Sequence, residues 1–172
     1  MNSISSSKSI NLSGNLDVPG DKSISHRSLI IGSLVSGRIE INNLLESEDV
    51  IATAEALKIL GVKINKLHDK WEVFGSGIGN FFGSNYTLNM GNSGTGARLL
   101  MGLVAGSDVE ATFIGDESLS KRPMKRVTIP LKKTGAVIES RTSNLPIKIQ
   151  GSKIPIPIKY QSPVSSAQVK SS

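Results

Sequence analysis

The segment LKILGVKI, Leu57–Ile64, recurs as LKKTGAVI at Leu131–Ile138, an offset of 74 residues. A second pair agrees with it: RSLIIGSLVSG, which starts at Arg27, is similar to RLLMGLVAG, which starts at Arg98 and is two residues shorter. Self-similarity at a fixed spacing is the signature of a repeated supersecondary unit. The repeat decides the fold, and two copies of one unit are predicted.

Each copy is predicted to alternate helices with strands. Four helices are expected, each ending before a glycine that forms a left-handed C-terminal cap: Ser23–Ser36, Glu48–Leu60, Thr95–Ala105 and Pro123–Thr134. Segments of strand length and composition separate and follow them: RIEINNL, VKINKL, WEVFG, YTLNMG, VEATFIG, AVIES, LPIKIQ and IPIPIKY. The last is expected to be an edge strand, because proline cannot donate to a central ladder. The alternation predicts an α/β fold in which each copy runs helix, strand, helix, strand, strand.

A third copy is expected to begin near the end of the chain. The segment VSSAQVKSS, residues 164–172, takes the place that KSISHRS, residues 22–28, and NSGTGAR, residues 92–98, hold in the first two copies. The three copies are predicted at about residues 20–90, 91–160 and 161–172. A repeat without its strands leaves the apolar face of its helix exposed, so we expect the chain to be the N-terminal fragment of a longer protein.

Composition excludes several classes of protein. The 172 residues, 38% of them hydrophobic, suffice for the core of one domain. The absence of cysteine excludes disulfides and thiolate chemistry and fits a reducing compartment. No signal-peptide core and no run of about 20 apolar residues occurs. A cytoplasmic protein without a membrane partner is therefore expected.

The net charge of +6 leaves nucleic acid, an anionic membrane and small anions open as partners. Sites for single-stranded nucleic acid interleave aromatic side chains with cations, and this chain has only four Phe, two Tyr and one Trp. Its cations also stand singly or in pairs beside glycine, serine and proline. This distribution favours pockets for phosphate or carboxylate ligands over nucleic acid.

The segment GDKSISHR, Gly20–Arg27, precedes the first predicted helix. Free N–H groups and the macrodipole make a helix N-terminus favourable for anions. Ser23 and Arg27 are four residues apart and share a helix face, with Lys22 at its start. These three side chains are predicted to bind an anion. The alternative is an ordinary N-cap at Ser23 or Ser25.

The segment GNSGTG, Gly91–Gly96, precedes the third predicted helix and offers the polar side chains of Asn92, Ser93 and Thr95. A glycine-rich turn is by itself a weak signal, and a simple tight turn is the alternative. The segment matches neither the dinucleotide fingerprint nor the NTPase phosphate loop, because the required glycine spacing and the Lys-Ser or Lys-Thr pair are absent. Arg98 lies deeper in an apolar helix and is expected to be structural.

The segment SKRPMKR, residues 120–126, adds a basic cluster. Pro123 is expected at the first position of a helix. Arg122, directly before that proline, is the candidate clamp for a phosphate or carboxylate group. Lys125 and Arg126 are interpreted as surface charges.

The two histidines, His26 and His68, are too few and too isolated to indicate a metal site or a histidine base. Both are interpreted as ordinary polar residues, and no metal or cofactor is expected. Trp71 is expected in the core on a strand.

Five segments together resemble the 5-enolpyruvylshikimate-3-phosphate (EPSP) synthase family, the 3-phosphoshikimate 1-carboxyvinyltransferases, in order and spacing from about residue 10 onward: PGDKSISHRSL, SEDVIATAEALKILGV, GNSGTGARLL, GDESLSKRPMKRV and SSAQVKS. The resemblance implies transfer of the enolpyruvyl group of phosphoenolpyruvate to the 5-hydroxyl of shikimate 3-phosphate, with release of phosphate. This reaction belongs to chorismate and aromatic amino-acid biosynthesis.

The resemblance also implies the architecture. Family members have two domains, together an inside-out α/β barrel, each made of three βαβαββ units with the substrates between the domains. Residues 1–19 would then belong to the other domain, and residues 20–172 to a partial first domain. The full-length protein is expected to be a monomer.

The resemblance further implies the binding residues. Lys22 is similar to the lysine that contacts both substrates. Ser23 and Arg27 are similar to residues that bind shikimate 3-phosphate. The same holds for Ser166 and Gln168, which flank Ala167 in the motif Ser166, Ala167, Gln168. Gln168 is similar to a glutamine that also approaches phosphoenolpyruvate. Gly94 and Arg122 are similar to positions of the phosphoenolpyruvate site, and Asn92 lies beside them in the sequence motifs. Relatives with alanine at Gly94 are insensitive to glyphosate, so sensitivity is expected here.

The acid and base of the family lie in the half that this chain does not match, so no proton-transfer residue is assigned and the chain alone is expected to show no turnover. Two alternatives stay open. One is a relative that acts on UDP-N-acetylglucosamine, although its Lys-Asn entry motif and loop cysteine are missing here. The other is a non-catalytic basic module that binds anions or nucleic acid, which a steep salt dependence of DNA or RNA affinity would support.

Overall fold

The computed structural model describes residues 3–163 and 165–172. Within these residues the helices are α1 (Lys22–Leu34), α2 (Glu48–Ile59), α3 (Gly94–Ala105), α4 (Glu117–Ser120), α5 (Lys125–Lys133) and α6 (Ala167–Ser171). The strands are β1 (Ser36–Asn42), β2 (Lys63–Lys66), β3 (Lys70–Ser76), β4 (Phe82–Asn89), β5 (Asp108–Ile114), β6 (Val137–Glu139) and β7 (Ile147–Gln150).

The strands form two sheets. The first has the order β1-β3-β2 with antiparallel pairs, and the fully buried Val73 of β3 lies opposite both Ile39 and Ile64. The second has the order β4-β5-β7-β6, in which β4 is parallel to β5 and the other pairs are antiparallel. Its centre is the pair Phe113 and Ile147, both fully buried. Each sheet thus turns one apolar face toward the helices.

Helix α3 lies at the centre of the helical layer. It contacts α1, α2, α5 and α6 as well as strands β5 and β7. Nine of its 12 residues are buried, which suits a helix that is apolar on most sides. Its first turn begins at Gly94, so the most buried helix of the structure positions one of the predicted site residues.

The element order repeats along the chain. The series α1, β1, α2, β2, β3 is matched by α3, β5, α5, β6, β7, and α6 stands where the third copy is predicted to begin. Strand β4 joins the two series, and the four-residue helix α4 has no counterpart in the first. The α/β class and the order helix, strand, helix, strand, strand are confirmed.

Seven of the eight predicted strand segments contain strands, and Trp71 lies buried in β3 as predicted. The prediction for Ile154–Tyr160 was wrong, because this segment forms no strand. Its two prolines remove ladder donors at alternate positions. Ile156, between the two prolines, donates its N–H to the carbonyl of Thr134 at 2.8 Å. The segment is therefore bonded to the C-terminal end of α5 and not to a strand.

The predicted glycine caps are correct at two helices and wrong at two. Gly61 and Gly135 follow α2 and α5 with φ of +95° and +103°. Helix α1 ends before the extended Val35, and Gly37 lies inside β1. Gly106 follows α3 with φ of −92°, which any residue can adopt. Neither α1 nor α3 therefore ends in a left-handed glycine.

Two predictions about helix starts were also wrong. Helix α1 is capped by Asp21, whose Oδ1 accepts a hydrogen bond from the N–H of Ile24 at 2.8 Å, so neither serine of the alternative is the N-cap. Helix α5 begins at Lys125 and not at Pro123. Met124, its N-cap, is fully buried and donates its N–H to the carbonyl of Ser143 at 3.0 Å.

The described part of the N-terminal segment, residues 3–19, forms neither helix nor strand. Four of its apolar side chains are at least 84% exposed: Ile4, Ile10, Leu12 and Leu16. Residues 1 and 2 of this segment, and residue 164 of the predicted third copy, lie outside the described residues. Over the part of the chain that the structure describes, no helix has the length and apolarity needed to cross a membrane.

Candidate anion-binding site

Three of the predicted site residues lie on the first two turns of α1. The Nζ of Lys22 pairs with Oδ2 of Asp49 in α2 at 3.0 Å. Arg27 donates from Nη1 to the carbonyl of Ser23 at 3.1 Å, and from Nη2 to Oγ of Ser171 in α6 at 3.0 Å. The lysine and the arginine therefore bond to different helices, and the structure connects α1 to α2 and α6 through them.

A buried serine holds the turn before α3. Ser93 is fully buried, and its Oγ accepts a hydrogen bond from the N–H of Gly96 at 3.2 Å, as an N-cap does. Gly91, two residues earlier, has φ of +52°, a conformation that favours glycine. Gly91 and Ser93 thus form the tight turn. Asn92 and Gly94, in contrast, accept hydrogen bonds from arginine side chains.

Two guanidinium groups surround Gly94. A Cβ atom at this position would lie 2.9 Å from Nη1 of Arg98 and 3.1 Å from Nη1 of Arg122. Arg98 also donates from Nη1 to the carbonyl of Gly94 at 2.9 Å, in agreement with its expected structural role. Any side chain at position 94 would therefore press on two cations.

Arg122 is oriented by a chain of hydrogen bonds. Its Nη2 donates to Oδ1 of Asn92 and, at 3.2 Å, to Oγ of Ser118. The Nδ2 of Asn92 donates to Oδ2 of Asp116 at 2.7 Å, and Asp116 also caps α4. Asp116 fixes Asn92, and Asn92 in turn fixes the guanidinium, so Arg122 is held in position before any ligand binds.

A cavity of about 270 Å³ opens beside these residues, and we call it the arginine cavity; its lining is Arg98, Arg122, Pro123, Arg126, Ser166, Gln168 and Val169. Three guanidinium groups line it, and none of the lining residues is acidic. Burial lowers the pKa of Arg98, and the neighbouring cations Arg122 and Arg126 lower it further. Arginine keeps its charge in proteins, so the repulsion is relieved best by a bound anion.

Helix α6 closes one side of the arginine cavity. Ser166 is its N-cap and accepts from the N–H of Val169 at 3.4 Å, and Ala167 is its first residue. The Nε2 of Gln168 donates to Oγ1 of Thr95 in α3 at 3.0 Å. The first turn of α6 is thus joined to the first turn of α3.

The structure brings six of the nine predicted site residues together around this cavity: Arg122, Ser166 and Gln168 in its lining, with Asn92, Gly94 and Ala167 beside or bonded to them. The other three, Lys22, Ser23 and Arg27, lie on the neighbouring helix α1. The hydrogen bond from Arg27 to Ser171 connects α1 to α6, which lines the cavity. A larger open depression of about 710 Å³ lies by the β6–β7 connection and contains none of them.

Sequence reasoning missed Arg126. Arg126 is exposed, like Lys125, as the interpretation as a surface charge predicts, but it also lines the arginine cavity, which Lys125 does not. The spacing of four residues between Arg122 and Arg126 was an available signal, since the same spacing was used for Ser23 and Arg27. Asp116 was missed as well, because its bond to Asn92 spans 24 residues.

Comparison with known proteins identifies the family of the chain. The profile of the EPSP synthase (3-phosphoshikimate 1-carboxyvinyltransferase) family matches residues 7–172. The 3-phosphoshikimate 1-carboxyvinyltransferase of Parvibaculum lavamentivorans is 53% identical over 162 residues, which are 93% of this chain and 36% of that protein. That of Bartonella quintana is 50% identical over 169 residues, which are 98% of this chain and 38% of that protein.

Solved structures show the same likeness. An EPSP synthase structure from Acinetobacter baumannii superposes with a TM-score of 0.85 at 39% identity, covering 92% of this chain and 36% of that one. A second structure from the same organism gives a TM-score of 0.84 at 38% identity. The chain spans little more than a third of the length of these relatives. With a family profile over nearly the whole chain and close relatives in sequence and fold, the chain belongs to the EPSP synthase family.

Proposed function

We propose that the protein to which this chain belongs transfers the enolpyruvyl group of phosphoenolpyruvate to the 5-hydroxyl of shikimate 3-phosphate and releases phosphate. Both substrates carry phosphate, and phosphoenolpyruvate also carries a carboxylate. The observation that carries the proposal is the convergence of Arg98, Arg122 and Arg126 on one cavity without an acidic lining residue. Guanidinium groups bind such oxygens through paired, charge-assisted hydrogen bonds.

We assign phosphoenolpyruvate to the arginine cavity. Arg122 is held by Asn92 and so presents its remaining N–H groups without further ordering. Gly94 supplies the space that these groups need, because a Cβ there would crowd two guanidinium groups. Preorganised donors of this kind bind tightly because little side-chain entropy is lost when the ligand arrives.

We assign the phosphate of shikimate 3-phosphate to the region where α1 meets α6. Ser23 and Arg27 come from α1, and Ser166 and Gln168 come from the start of α6. The bond from Arg27 to Ser171 already brings these two helices together. Lys22, at the start of α1, is assigned to both substrates, and an incoming anion would compete with Asp49 for its ammonium group.

This chain is proposed to supply anion binding and not proton transfer. Enolpyruvyl transfer passes through a tetrahedral carbon and needs a positioned acid and base. The resemblance places these groups in the part of the relatives that the chain does not match. Groups that bind the substrate and the transition state equally well do not by themselves accelerate the chemical step.

The domain division is part of the proposal. Residues 20–172 would form most of one domain, with copies at about 20–90, 91–160 and 161–172, and residues 1–19 would pack in the other domain. The exposure of apolar Ile10 and Leu12, each 90%, supports an origin in another domain. We further propose a cytoplasmic, monomeric full-length protein that binds neither membranes nor nucleic acid.

Calorimetric titration of the 172-residue chain tests the assignment. Phosphoenolpyruvate and shikimate 3-phosphate are expected to bind, and unphosphorylated shikimate, the matched control, is not. The Arg122→Gln variant is expected to weaken phosphoenolpyruvate by about tenfold, and Arg27→Gln to weaken shikimate 3-phosphate by a similar factor. Assays of the chain alone are expected to show no enolpyruvyl transfer, and measured transfer would refute the division of labour proposed here.

The same experiment separates the alternatives. Binding of UDP-N-acetylglucosamine in place of shikimate 3-phosphate would favour the aminosugar relative. DNA or RNA affinity that falls steeply with salt, together with no binding of either substrate, would favour the basic module. Equal binding of shikimate and its 3-phosphate would contradict the phosphate assignment.

A further inference from the structure

A buried imidazole joins α1 to α2 close to the candidate site. His26 has no solvent exposure, and its Nδ1 lies 2.8 Å from Oγ1 of Thr53, which is also fully buried. The other ring nitrogen, Nε2, is buried without a hydrogen-bond partner among residues 3–163 and 165–172. A buried polar atom that lacks a partner is unfavourable, so this position requires a reason beyond packing.

Thr53 also lies directly against α3. A Cβ atom at Gly96 would be 2.4 Å from Oγ1 of Thr53 and 2.7 Å from Oγ of Ser93. Contacts this short do not occur between real side chains, so α2 and α3 approach closely only because residue 96 is glycine. Two successive contacts, from His26 to Thr53 and from Thr53 to Gly96, therefore connect α1, α2 and α3.

These contacts lie next to the residues that are proposed to bind ligand. Arg27 follows His26 on α1, and Gly94 is two residues from Gly96 on α3. The hydroxyl of Thr53 donates to the carbonyl of Asp49 at 3.3 Å, and the Asp49 side chain pairs with Lys22. The contact is thus connected to groups assigned to both substrates, although none of its three members is assigned to a ligand.

We infer that His26, Thr53 and Gly96 form a positioning contact that sets the separation between the anion-binding side chains of α1 and the Gly94 turn of α3. The substrates named for these groups rest on the proposed function; the contact itself does not. Thr53 has a single hydroxyl proton, and it is used toward Asp49. With that proton directed at Asp49, we expect the neutral imidazole to donate to Thr53 from Nδ1 and Nε2 to carry no proton.

Nuclear magnetic resonance of the isotope-labelled 172-residue chain tests this inference with and without ligand. In the free chain, the ¹⁵N shifts of His26 are expected to show the neutral Nδ1–H tautomer. The Thr53→Val variant removes the hydroxyl at nearly constant volume and is expected to shift the amide resonances of Gly94 and Gly96. The Ser33→Ala variant, which removes a buried hydroxyl on α1, is the matched control and is expected to leave them in place.

Titration with phosphoenolpyruvate then measures the consequence. Thr53→Val and His26→Leu are each expected to weaken binding at least threefold, and the double variant to be no weaker than either single variant, because both remove one contact. His26→Asn, which places an amide near the Nδ1 position, is expected to restore affinity to within twofold of the natural chain. If Thr53→Val does not fold, His26→Asn and His26→Leu provide the same comparison.

Three results would overturn the inference: natural affinity in folded Thr53→Val, effects of the two single variants that multiply in the double variant, or unmoved Gly94 and Gly96 resonances. Failure of the proposed function looks different. In that case the natural chain would not bind phosphoenolpyruvate, while the tautomer and the amide shifts of the ligand-free variants would still report on the contact.

Discussion

The guanidinium of Arg122 donates a hydrogen bond to Oδ1 of Asn92, and this bond joins segments that are 30 residues apart. One segment is the turn before α3, and the other is the connection between α4 and α5. The bond orients Arg122 toward the arginine cavity before a ligand is present. Four predictions follow from this geometry and from the groups around it.

Replacement of Asn92 by alanine should weaken anion binding while Arg122 itself is retained. The variant removes the acceptor that orients the guanidinium and leaves Asp116 without its Nδ2 donor. A hydrogen bond to a charged group contributes about 1.5–3 kcal/mol, so a loss of roughly tenfold or more in phosphoenolpyruvate affinity is expected. Calorimetry measures it, with Asn80→Ala as the control, since the side-chain amide of Asn80 donates to the carbonyl of Ser76 and lies outside the cavity lining. Unchanged affinity would show that Arg122 does not depend on Asn92.

The Gly94→Ala substitution should weaken phosphoenolpyruvate binding without unfolding the chain. The new methyl group would lie 2.9 Å and 3.1 Å from the guanidinium nitrogens of Arg98 and Arg122, which must move away. We expect a loss of affinity of about fivefold to thirtyfold, equivalent to about 1–2 kcal/mol. The control is Gly106→Ala, where the nearest atom to the added Cβ is 3.6 Å away and φ is negative. Equal losses in both variants would contradict the local explanation.

The Arg126→Gln substitution tests whether the third arginine contributes to the field in the cavity. Removal of one positive charge near a bound anion should weaken phosphate binding by roughly 1 kcal/mol, about fivefold, and should reduce the dependence of affinity on salt. Lys125→Gln removes the same charge from an exposed neighbour that does not line the cavity. Phosphate titrations at two ionic strengths measure both effects. Identical phosphate affinities of the two variants would show that Arg126 contributes no more to anion binding than Lys125 does.

His26 should make the folded state less stable at mildly acidic pH. Burial lowers the pKa of His26, the cations Lys22 and Arg27 lower it further, and Asp49 opposes them. Below pH 6.5 the unfolded chain takes up a proton that the folded chain does not, so the free energy of unfolding falls as pH drops from 6.5 toward the folded-state pKa. The slope from this residue is at most about 1.4 kcal/mol per pH unit.

Urea unfolding at several pH values between 5 and 8 measures this effect. The asparagine of the His26→Asn variant has no titratable group, so this variant is expected to lose part of the pH dependence of the free energy of unfolding. His68→Asn, which changes an exposed histidine, is the control and should follow the natural chain. Parallel pH profiles for all three proteins would show that His26 does not contribute.

Much of the fold could be predicted from local pattern. The recurrence of LKILGVKI as LKKTGAVI marks the end of α2 and of α5, each followed by a glycine with positive φ and then a strand. Helical and strand periodicity depend on neighbours within a few residues, so a single sequence contains that information. The errors fall where distant parts of the chain intervene, as at Ile156, which donates its N–H to the carbonyl of Thr134 and forms no strand.

The candidate site was predicted unevenly for the same reason. Asn92, Gly94 and Arg122 stand in motifs that resemble a known family, so the sequence names them as candidates. Arg126 and Asp116 were missed, because their role depends on the bend between α4 and α5 and on a bond across 24 residues. His26 was interpreted as an ordinary polar residue, since no feature of its own helix shows that Thr53 lies 2.8 Å from its ring.

The sequence alone therefore determined the α/β class, the repeated unit and the family, because these follow from short-range periodicity and from ordered motifs. Tertiary structure alone decided which cations share a cavity, which carbonyls and amides orient them, and which glycines must remain glycine. Arg122 and Asn92, or Thr53 and Gly96, meet only when α3 is buried among the other helices. The energy of a charge or a buried polar atom depends on its neighbours in space, and those neighbours are set by the packing of the whole chain.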